Sequence, residues 1–175
     1  MTILIYIIGG ITVLIVLLML IAPKTYHVSR SIIISKPRIE VFKYLKSLKK
    51  MDEWSPWATR DPNMKKRFTG IDGEVGAISY WNGNKDVGEG EQEIMKVIDG
   101  ERIESELRFL KPWKSTSDCY LQVEDEQHGQ TKVIWGFMGG NRFPMNIMIL
   151  FRSMDKMVGK DFEEGLNNMK DVLEK

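Results

Sequence analysis

Cysteine and histidine are scarce in this chain of 175 residues, which contains one cysteine and two histidines. Zinc sites and iron–sulfur clusters require several Cys or His ligands at short spacings. His27 and His128 lie far apart in the sequence with no such ligands near them, so the sequence predicts no metal site and no cofactor. Cys119 cannot form a disulfide bond within the chain, and a single thiol is compatible with a reducing compartment.

An excess of charge of either sign is also missing. Lys and Arg number 25, Asp and Glu number 24, and the formal net charge is +1. A nucleic-acid-binding domain is expected to carry a basic stripe or patch. The composition therefore predicts no nucleic-acid partner.

Residues 3–22 contain no charged side chain. Twenty residues in a helix span about 30 Å, the thickness of the hydrocarbon core of a bilayer. A cleaved secretory signal would need a basic leading region, a shorter apolar core and a small-x-small cleavage site, and this segment has none of them. We therefore predict an uncleaved transmembrane anchor in residues 1–23 and one folded domain in residues 24–175.

The charges beside the anchor predict its orientation. No Lys or Arg precedes the apolar run, whereas Lys24, Arg30, Lys36 and Arg38 follow it. The positive-inside rule places such residues on the cytoplasmic side of a membrane. We expect a single-pass membrane protein whose soluble domain faces the cytoplasm.

The periodicity of the remaining chain predicts a strand, two short helices, six strands and a final helix. Residues 26–35 alternate as a strand, one helix is expected to begin near Pro37, and a second is expected over residues 51–58. Turn sequences such as Asn82-Gly83 and Asp99-Gly100 separate the later strands and favour an antiparallel meander. These strands are predicted over residues 64–69, 75–81, 88–98, 102–110, 115–123 and 131–138.

A helix of nearly thirty residues is predicted after Pro144, because apolar residues recur at spacings of three and four as far as Leu173. Gly159 and Gly165 each cost about 1 kcal/mol relative to Ala inside a helix, so we expect them where the helix approaches the sheet closely. The predicted fold class is α+β: a curved antiparallel sheet, in the order β-αα-β6-α, wrapped around a long C-terminal helix.

Five groups of residues carry a resemblance to a known superfamily. They include Ile34-Ser-Lys-Pro37, Trp54-Ser-Pro-Trp57, Trp81-Asn-Gly-Asn84 with Val87-Gly-Glu-Gly90, Thr131-Lys-Val-Ile-Trp135, and residues 154–166. Together they resemble the START and polyketide cyclase/dehydrase-like superfamily, SRPBCC, and in particular a membrane-anchored bacterial branch of it. The resemblance implies a helix-grip fold with a cavity beneath the C-terminal helix that takes lipids or other apolar molecules. It implies no particular activity.

Residues expected on the inner face form the predicted ligand-binding site. Aromatic residues in strands more often pack in a core than contact a ligand, so core packing is the alternative for the tryptophans. Methionine suits an adaptable cavity wall, although ordinary core filling explains it equally well. The predicted ligand-binding residues are Trp57, Trp81, Ser105, Phe109, Trp135, Met148, Phe151 and Met154.

Glu89, Glu91 and Glu93 share one side of a predicted strand. Inside a cavity, mutual repulsion and desolvation would raise their pKa values and create a general acid. Ile94 and Ile98 lie on the opposite side and mark it as the inner one, so we expect the three carboxylates on the solvent face. Cys119 is expected to be a small buried hydrophobe.

The leading hypothesis is a membrane-tethered module that binds a hydrophobic or amphipathic small molecule or lipid. The alternatives are a polyketide cyclase/dehydrase-like enzyme and a co-chaperone-like protein-interaction domain, for which the sequence indicates no particular protein partner. The binding module is favoured because no catalytic residue, neither a nucleophile nor a paired acid and base, can be assigned to the cavity.

The orientation of the anchor is testable in cells. We expect a reporter that works only in the cytoplasm to be active when it is fused after Lys175, and we expect the isolated chain to retain Met1 by mass spectrometry. Activity of an export-dependent reporter at the same position would contradict the orientation. A mature N-terminus after Ala22 would contradict the anchor itself.

Overall fold

The computed structural model describes residues 2–140, 146–147, 150 and 153–175. The described helices are α1 (Thr2–Ile21), α2 (Arg38–Leu45), α3 (Pro56–Arg60) and α4 (Met154–Leu173), and short 3-10 helices cover Lys50–Glu53 and Gln127–Gly129. The strands are β1 (Thr25–Ile34), β2 (Lys65–Thr69), β3 (Ile78–Asn82), β4 (Glu89–Ile98), β5 (Arg102–Lys111), β6 (Ser115–Asp125) and β7 (Thr131–Gly140).

All seven strands form one antiparallel sheet in the order β1-β7-β6-β5-β4-β3-β2. Strands β2 to β7 pair with their neighbours in sequence, and β1 closes the order by pairing with β7 from Thr25 opposite Gly140 to Ile34 opposite Thr131. The α+β prediction is confirmed, and the strands lie close to their predicted bounds, except that β3 begins at Ile78 where a strand from residue 75 was predicted. Strand β5, by contrast, covers Arg102–Lys111 where residues 102–110 were predicted.

The main core lies between one face of the sheet and the helices after β1. Helix α2 packs against β6, and α4 packs against β1. The core includes Val41 and Phe42 of α2, Ile94 of β4, and Leu166 and Met169 of α4. Helix α1 differs from these helices because none of its residues is buried. By length and composition it could cross a membrane.

The prediction of one continuous helix after Pro144 is wrong. Residues 146, 147 and 150 are helical, but Ser153 is extended, with ψ of 147°, and α4 begins at Met154. The Ser153 hydroxyl accepts a hydrogen bond from the backbone N–H of Lys156 at 3.4 Å, so the serine caps a new helix. The apolar spacing continued across this boundary and concealed it.

The predicted helix over residues 51–58 is also divided. A 3-10 helix ends at Glu53, Ser55 is extended with ψ of 125°, and α3 starts at Pro56. Proline lacks the N–H that a continuing helix would need, and it is favoured in the first turn of a new one. Trp54 and Trp57 therefore belong to different segments, although both face the core.

Two glycines allow α4 to approach the sheet, as the sequence predicted. A Cβ atom at Gly165 would lie 2.8 Å from the ring of Trp135, and one at Gly159 would collide with the guanidinium of Arg30. That guanidinium, on β1, donates hydrogen bonds to Asp155 at 2.9 Å and to Glu163 at 2.7 Å, both on α4. The glycines thus permit the contact, and the ion pairs fix the helix along β1.

The central contact of α4 is made by Phe162, which is 3% exposed. Its ring stacks on that of Trp135 with centroids 4.1 Å apart and planes 3° from parallel. Buried aromatic pairs of this kind add to the free energy gained from burial alone. Phe162 therefore joins α4 to β7 through a buried aromatic contact.

Replacing Phe162 by Ala should lower the free energy of unfolding by about 3 to 5 kcal/mol, because it removes this stacked ring and leaves a cavity. Met157 lies on the same helix and is 44% exposed, so Met157→Ala should change stability by less than about 0.5 kcal/mol. Urea unfolding of the full chain in detergent, followed by tryptophan fluorescence, measures both. Equal effects of the two substitutions would mean that α4 does not dock through Phe162.

Candidate ligand-binding site

A cavity of about 300 Å³ lies between the inner face of the sheet and the helices. This volume is at the lower end of the range for small-molecule pockets, which is about 300–1,000 Å³. Six strands, β2 to β7, contribute side chains to its wall, and α3 and α4 cover it. The cavity is therefore in the position that the predicted fold gave it.

Aromatic rings form much of the wall. Trp57 of α3 meets Trp135 of β7 edge to face, with ring centroids 5.8 Å apart. The ring of Phe162 stacks on the same Trp135 ring. On the far side, Trp81 of β3 and Phe109 of β5 also meet edge to face, at 6.2 Å. Strand alternation explains the positions of Trp81, Phe109 and Trp135, because these side chains point to the inner side of the sheet. The rings pack on one another and so hold the cavity open in a defined shape.

Four of the eight predicted ligand-binding residues line this cavity: Trp57, Trp81, Phe109 and Trp135. Ser105 is buried beside it and lines a much smaller neighbouring pocket instead. Met154 is half-buried and packs against the core without lining the cavity. Met148 and Phe151 lie outside the described residues.

Some of the tryptophans pack in the core, which was the alternative to ligand contact. Trp54 is fully buried and meets Trp135 edge to face at 4.9 Å without lining the cavity. Trp135 does both, because it is buried and also forms part of the cavity wall. A core residue and a cavity residue are therefore not exclusive in this fold.

Sequence reasoning missed the polar part of the lining. Ser55, Ser79 and Gln92 all face the cavity. Gln92 lies two residues before Ile94 on β4, and the alternation that identified Ile94 as an inner residue also places Gln92 there. That signal was present in the sequence, although a glutamine in a strand resembles an ordinary solvent-facing residue.

The carboxylates of β4 lie on the other face of the sheet, as expected. Arg108 of β5 donates hydrogen bonds to Glu91 and Glu93, each at 2.6 Å, and to Glu106 at 2.7 Å. These hydrogen bonds raise the pKa of the Arg108 guanidinium. The pKa of Glu89 is lowered, mainly by a hydrogen bond from Lys111. None of the three β4 carboxylates lines the cavity, so none is placed to act there as an acid.

Most charged side chains in the cavity wall already have partners. The Nζ atom of Lys66 lies 2.6 Å from a carboxylate oxygen of Asp52, and Asp161 accepts hydrogen bonds from Arg60 at 2.6 and 3.1 Å. Asp86 is exposed, and no ion pair involves it among the described residues. The cavity thus has an apolar body with paired charges in parts of its wall.

Cys119 of β6 lines the cavity and is buried, which confirms the expectation of a small buried hydrophobe. Burial raises the pKa of its thiol to about 12. The thiolate is the reactive form of cysteine, and desolvation disfavours it here. Cys119 therefore contributes polarisable apolar surface to the wall.

Comparison with known proteins identifies the fold. No protein-family model and no curated protein matches the chain. A solved structure from Nitrosospira multiformis is similar, with 18% identity and a TM-score of 0.60 over 85% of this chain and 96% of that one. Ara h 8.0201 has 11% identity and a TM-score of 0.58 over 85% and 97% of the two chains. The Aha1 dimer from Colwellia psychrerythraea has 16% identity and a TM-score of 0.55 over 85% and 96%.

These similarities, all below 25% identity, establish the architecture. The chain has a helix-grip fold, in which a seven-stranded antiparallel sheet holds a C-terminal helix. This is the fold that the resemblance to SRPBCC implies, and the solved structures are consistent with that resemblance.

The protection of Cys119 is testable by alkylation. The native chain should react with iodoacetamide at least about a hundredfold more slowly than the chain in urea, because the buried thiol stays protonated. Cys119 is the only cysteine, so the label reports on this site alone. Ser31 is exposed on β1, and Ser31→Cys in a Cys119→Ala background supplies the rate of a free thiol on the same fold. Equal rates for the native Cys119 and this control would show that the cavity wall is open to solvent.

Proposed function

We propose that this chain is a membrane-tethered binding module for a hydrophobic or amphipathic small molecule or lipid. The observation that carries the proposal is the preformed cavity with aromatic walls beneath α4. Small-molecule sites are typically concave and mostly apolar, with a few polar groups that orient the ligand. The cavity has both components, so Trp57, Trp81, Phe109 and Trp135 are proposed as ligand contacts.

Helix α1 is proposed as the tether, with residues 1–23 as a single-pass anchor and residues 24–175 as a cytoplasmic domain. The exposed apolar surface of α1 and its length support this assignment. A signal sequence near the N-terminus would share these two properties, and the missing basic leading region and cleavage pattern favour the anchor. We also propose that the chain belongs to the membrane-anchored branch that its sequence resembles.

The position of the cavity relative to the tether supports a ligand that comes from the bilayer. Only residues 22–24 connect α1 to β1, so Thr25 lies within about 14 Å of the end of α1. Asp86 and Val87, in the turn between β3 and β4, line the cavity, and the antiparallel pairing places this turn at the same end of the sheet as Thr25. A ligand in the membrane would have a short path to the cavity.

The side chains of the cavity favour binding over covalent chemistry. The thiol of Cys119 is held protonated, and the carboxylates of Asp52 and Asp161 are paired with the side chains of Lys66 and Arg60. A polyketide cyclase-like enzyme would need an acid or base that faces its substrate at an adjusted pKa. A co-chaperone-like protein-interaction domain becomes the leading proposal if the cavity takes no apolar molecule.

The binding proposal is tested by filling the cavity. Ser79 of β3 is half-buried and lines the cavity, so Ser79→Phe should block it. Bromodecane quenches nearby tryptophan fluorescence, and α1 contains no tryptophan. In the full chain in amphipol, we expect saturable quenching that falls by about tenfold or more in Ser79→Phe.

The matched control is Ser31→Phe, which adds the same ring at an exposed position of β1. Its quenching curve should equal that of the original chain. Quenching that never saturates, or that is identical in Ser79→Phe and Ser31→Phe, would reject the cavity as a binding site.

A further inference from the structure

The cavity contains polar side chains that have no hydrogen-bond partner among the described residues. Gln92 and Ser55 are each 8% exposed and line the cavity, and the carboxamide of Gln92 and the hydroxyl of Ser55 make no hydrogen bond within the described chain. The same holds for the half-buried hydroxyl of Ser79. Buried polar groups in folded proteins are nearly always paired, with protein, water or ligand.

These groups are brought together from two layers of the fold. Gln92 of β4 lies directly opposite Ser79 of β3 in the sheet, and Leu107 of β5 flanks it on the other side. Ser55 lies at the start of α3 and faces the cavity from the helical layer. A carboxamide offers two donor hydrogens and an acceptor oxygen, so Gln92 can recognise a group that both donates and accepts.

We infer that the ligand of this cavity carries an uncharged hydrogen-bonding group, such as an amide or a hydroxyl, which pairs with Gln92. The apolar body of the ligand lies against Trp57, Trp81 and Trp135. This inference rests on the proposed binding function and specifies the class of ligand. It distinguishes a neutral amphiphile both from a plain hydrocarbon and from a fatty acid.

The charges of the wall exclude a carboxylate as the preferred group. Asp52, Asp86 and Asp161 line the cavity, against Lys66 alone among the described cations, and Lys66 is paired with Asp52. Asp161 is paired with Arg60, so Asp86 keeps its negative charge without an ion pair among the described residues, and no lining cation is free to compensate an anion. A buried ion without such a partner is disfavoured far more than a neutral polar group that is hydrogen-bonded.

The test uses three brominated probes of equal chain length: bromodecane, bromodecanamide and bromodecanoate. Binding to the full chain in amphipol is followed by tryptophan quenching. Gln92→Leu should lower the affinity for bromodecanamide by about tenfold, because the amide loses a hydrogen bond. The affinity for bromodecane, which makes no such bond, should stay the same or rise. In the original chain, the carboxylate should bind at least about tenfold more weakly than the amide.

Two further variants support this comparison. Gln127 is exposed in the 3-10 helix before β7, so Gln127→Leu makes the same chemical change away from the cavity and should alter no affinity. Gln92→Met keeps an unbranched side chain of similar length and repeats the test if Gln92→Leu does not fold.

The outcomes separate this inference from the proposed function. If bromodecane itself fails to bind the original chain, the binding function is wrong. The inference is overturned if bromodecane binds but Gln92→Leu and Gln92→Met both bind bromodecanamide within about twofold of the original chain. Water would then be the hydrogen-bond partner of the Gln92 carboxamide. Carboxylate binding as tight as amide binding would overturn the choice of an uncharged group.

An independent observation concerns the turn between β5 and β6. Trp113 in this turn is 74% exposed, and Lys111 and Lys114 flank it. Tryptophan is concentrated where proteins meet the headgroup region of a bilayer, because its ring is amphipathic, and lysine is favourable beside anionic lipids.

The register of the sheet places this turn near the proposed anchor. Thr25 pairs with Gly140, and Asp118 of β6 pairs with Met138 of β7. Gly140 lies two residues beyond Met138, whereas Trp113 lies five residues beyond Asp118 toward the same end of the sheet. The turn therefore projects about three residues, or roughly 10 Å, further than the start of β1. This distance matches the reach of the connection between α1 and β1.

The geometry points to a second membrane contact, in which Trp113 enters the interface of the bilayer that α1 spans. Two attachments, one covalent and one through the turn, would fix the orientation of the domain and hold the cavity end toward the lipid. This inference rests on the proposed anchor.

The measurement uses the full chain in vesicles whose phospholipids carry bromine close to the headgroup. Tryptophan emission should be quenched, and most of that quenching should disappear in Trp113→Phe. Trp54→Phe is the control, because it removes a tryptophan that is buried in the core and does not line the cavity, and it should retain the quenching. Carbonate extraction of the same vesicles tests the anchor separately.

A chain that resists carbonate extraction but shows the same quenching in Trp113→Phe, or no quenching at all, would overturn the contact while the anchor stands. A chain that carbonate releases would overturn the anchor and the contact together.

Discussion

The stacking of Phe162 on Trp135 is the contact on which the rest of this domain depends. It brings α4 onto β7 at the point where Gly165 leaves room for the indole. Trp135 also meets Trp54 and Trp57, so one side chain joins the sheet, the α3 region and α4. These aromatic rings pack on one another beside the cavity, and their mutual contacts keep them from filling it. The side chain of Trp135 thus belongs both to the hydrophobic core and to the cavity wall.

The two faces of the sheet divide the polar chemistry of the domain. On the outer face, carboxylates surround Arg108 in water, where each ion pair contributes little to stability. In the cavity, Gln92, Ser55 and Ser79 are uncharged and make no hydrogen bond within the described chain, which gives them a large effect on what the cavity accepts. A tether at one end of the sheet would then select where the ligand comes from, while Gln92 would select its chemistry.

The order of elements and most strand bounds follow from the alternation of residues, as β5 illustrates, because one face of the sheet is buried and the other is solvated. Three site aromatics, Trp81, Phe109 and Trp135, followed from the same alternation, whereas Trp57 lies on α3. The start of α4 did not follow from the sequence, because the apolar spacing runs through Ser153 and only its capping geometry reveals the break. Ser105 was placed in the site because parity identifies a face but not a depth, and the structure puts Ser105 in a neighbouring pocket. Gln92 was missed because its importance depends on the lack of a partner across the cavity, which no local pattern records.

Native mass spectrometry of the full chain released from its own membrane tests most directly whether the cavity is a binding site. The account predicts a bound molecule on the original chain that is neutral and amphipathic by tandem fragmentation. The same molecule should be lost from Ser79→Phe and kept by Ser31→Phe. A chain that carries no such molecule, or that carries it equally in both variants, would contradict the account.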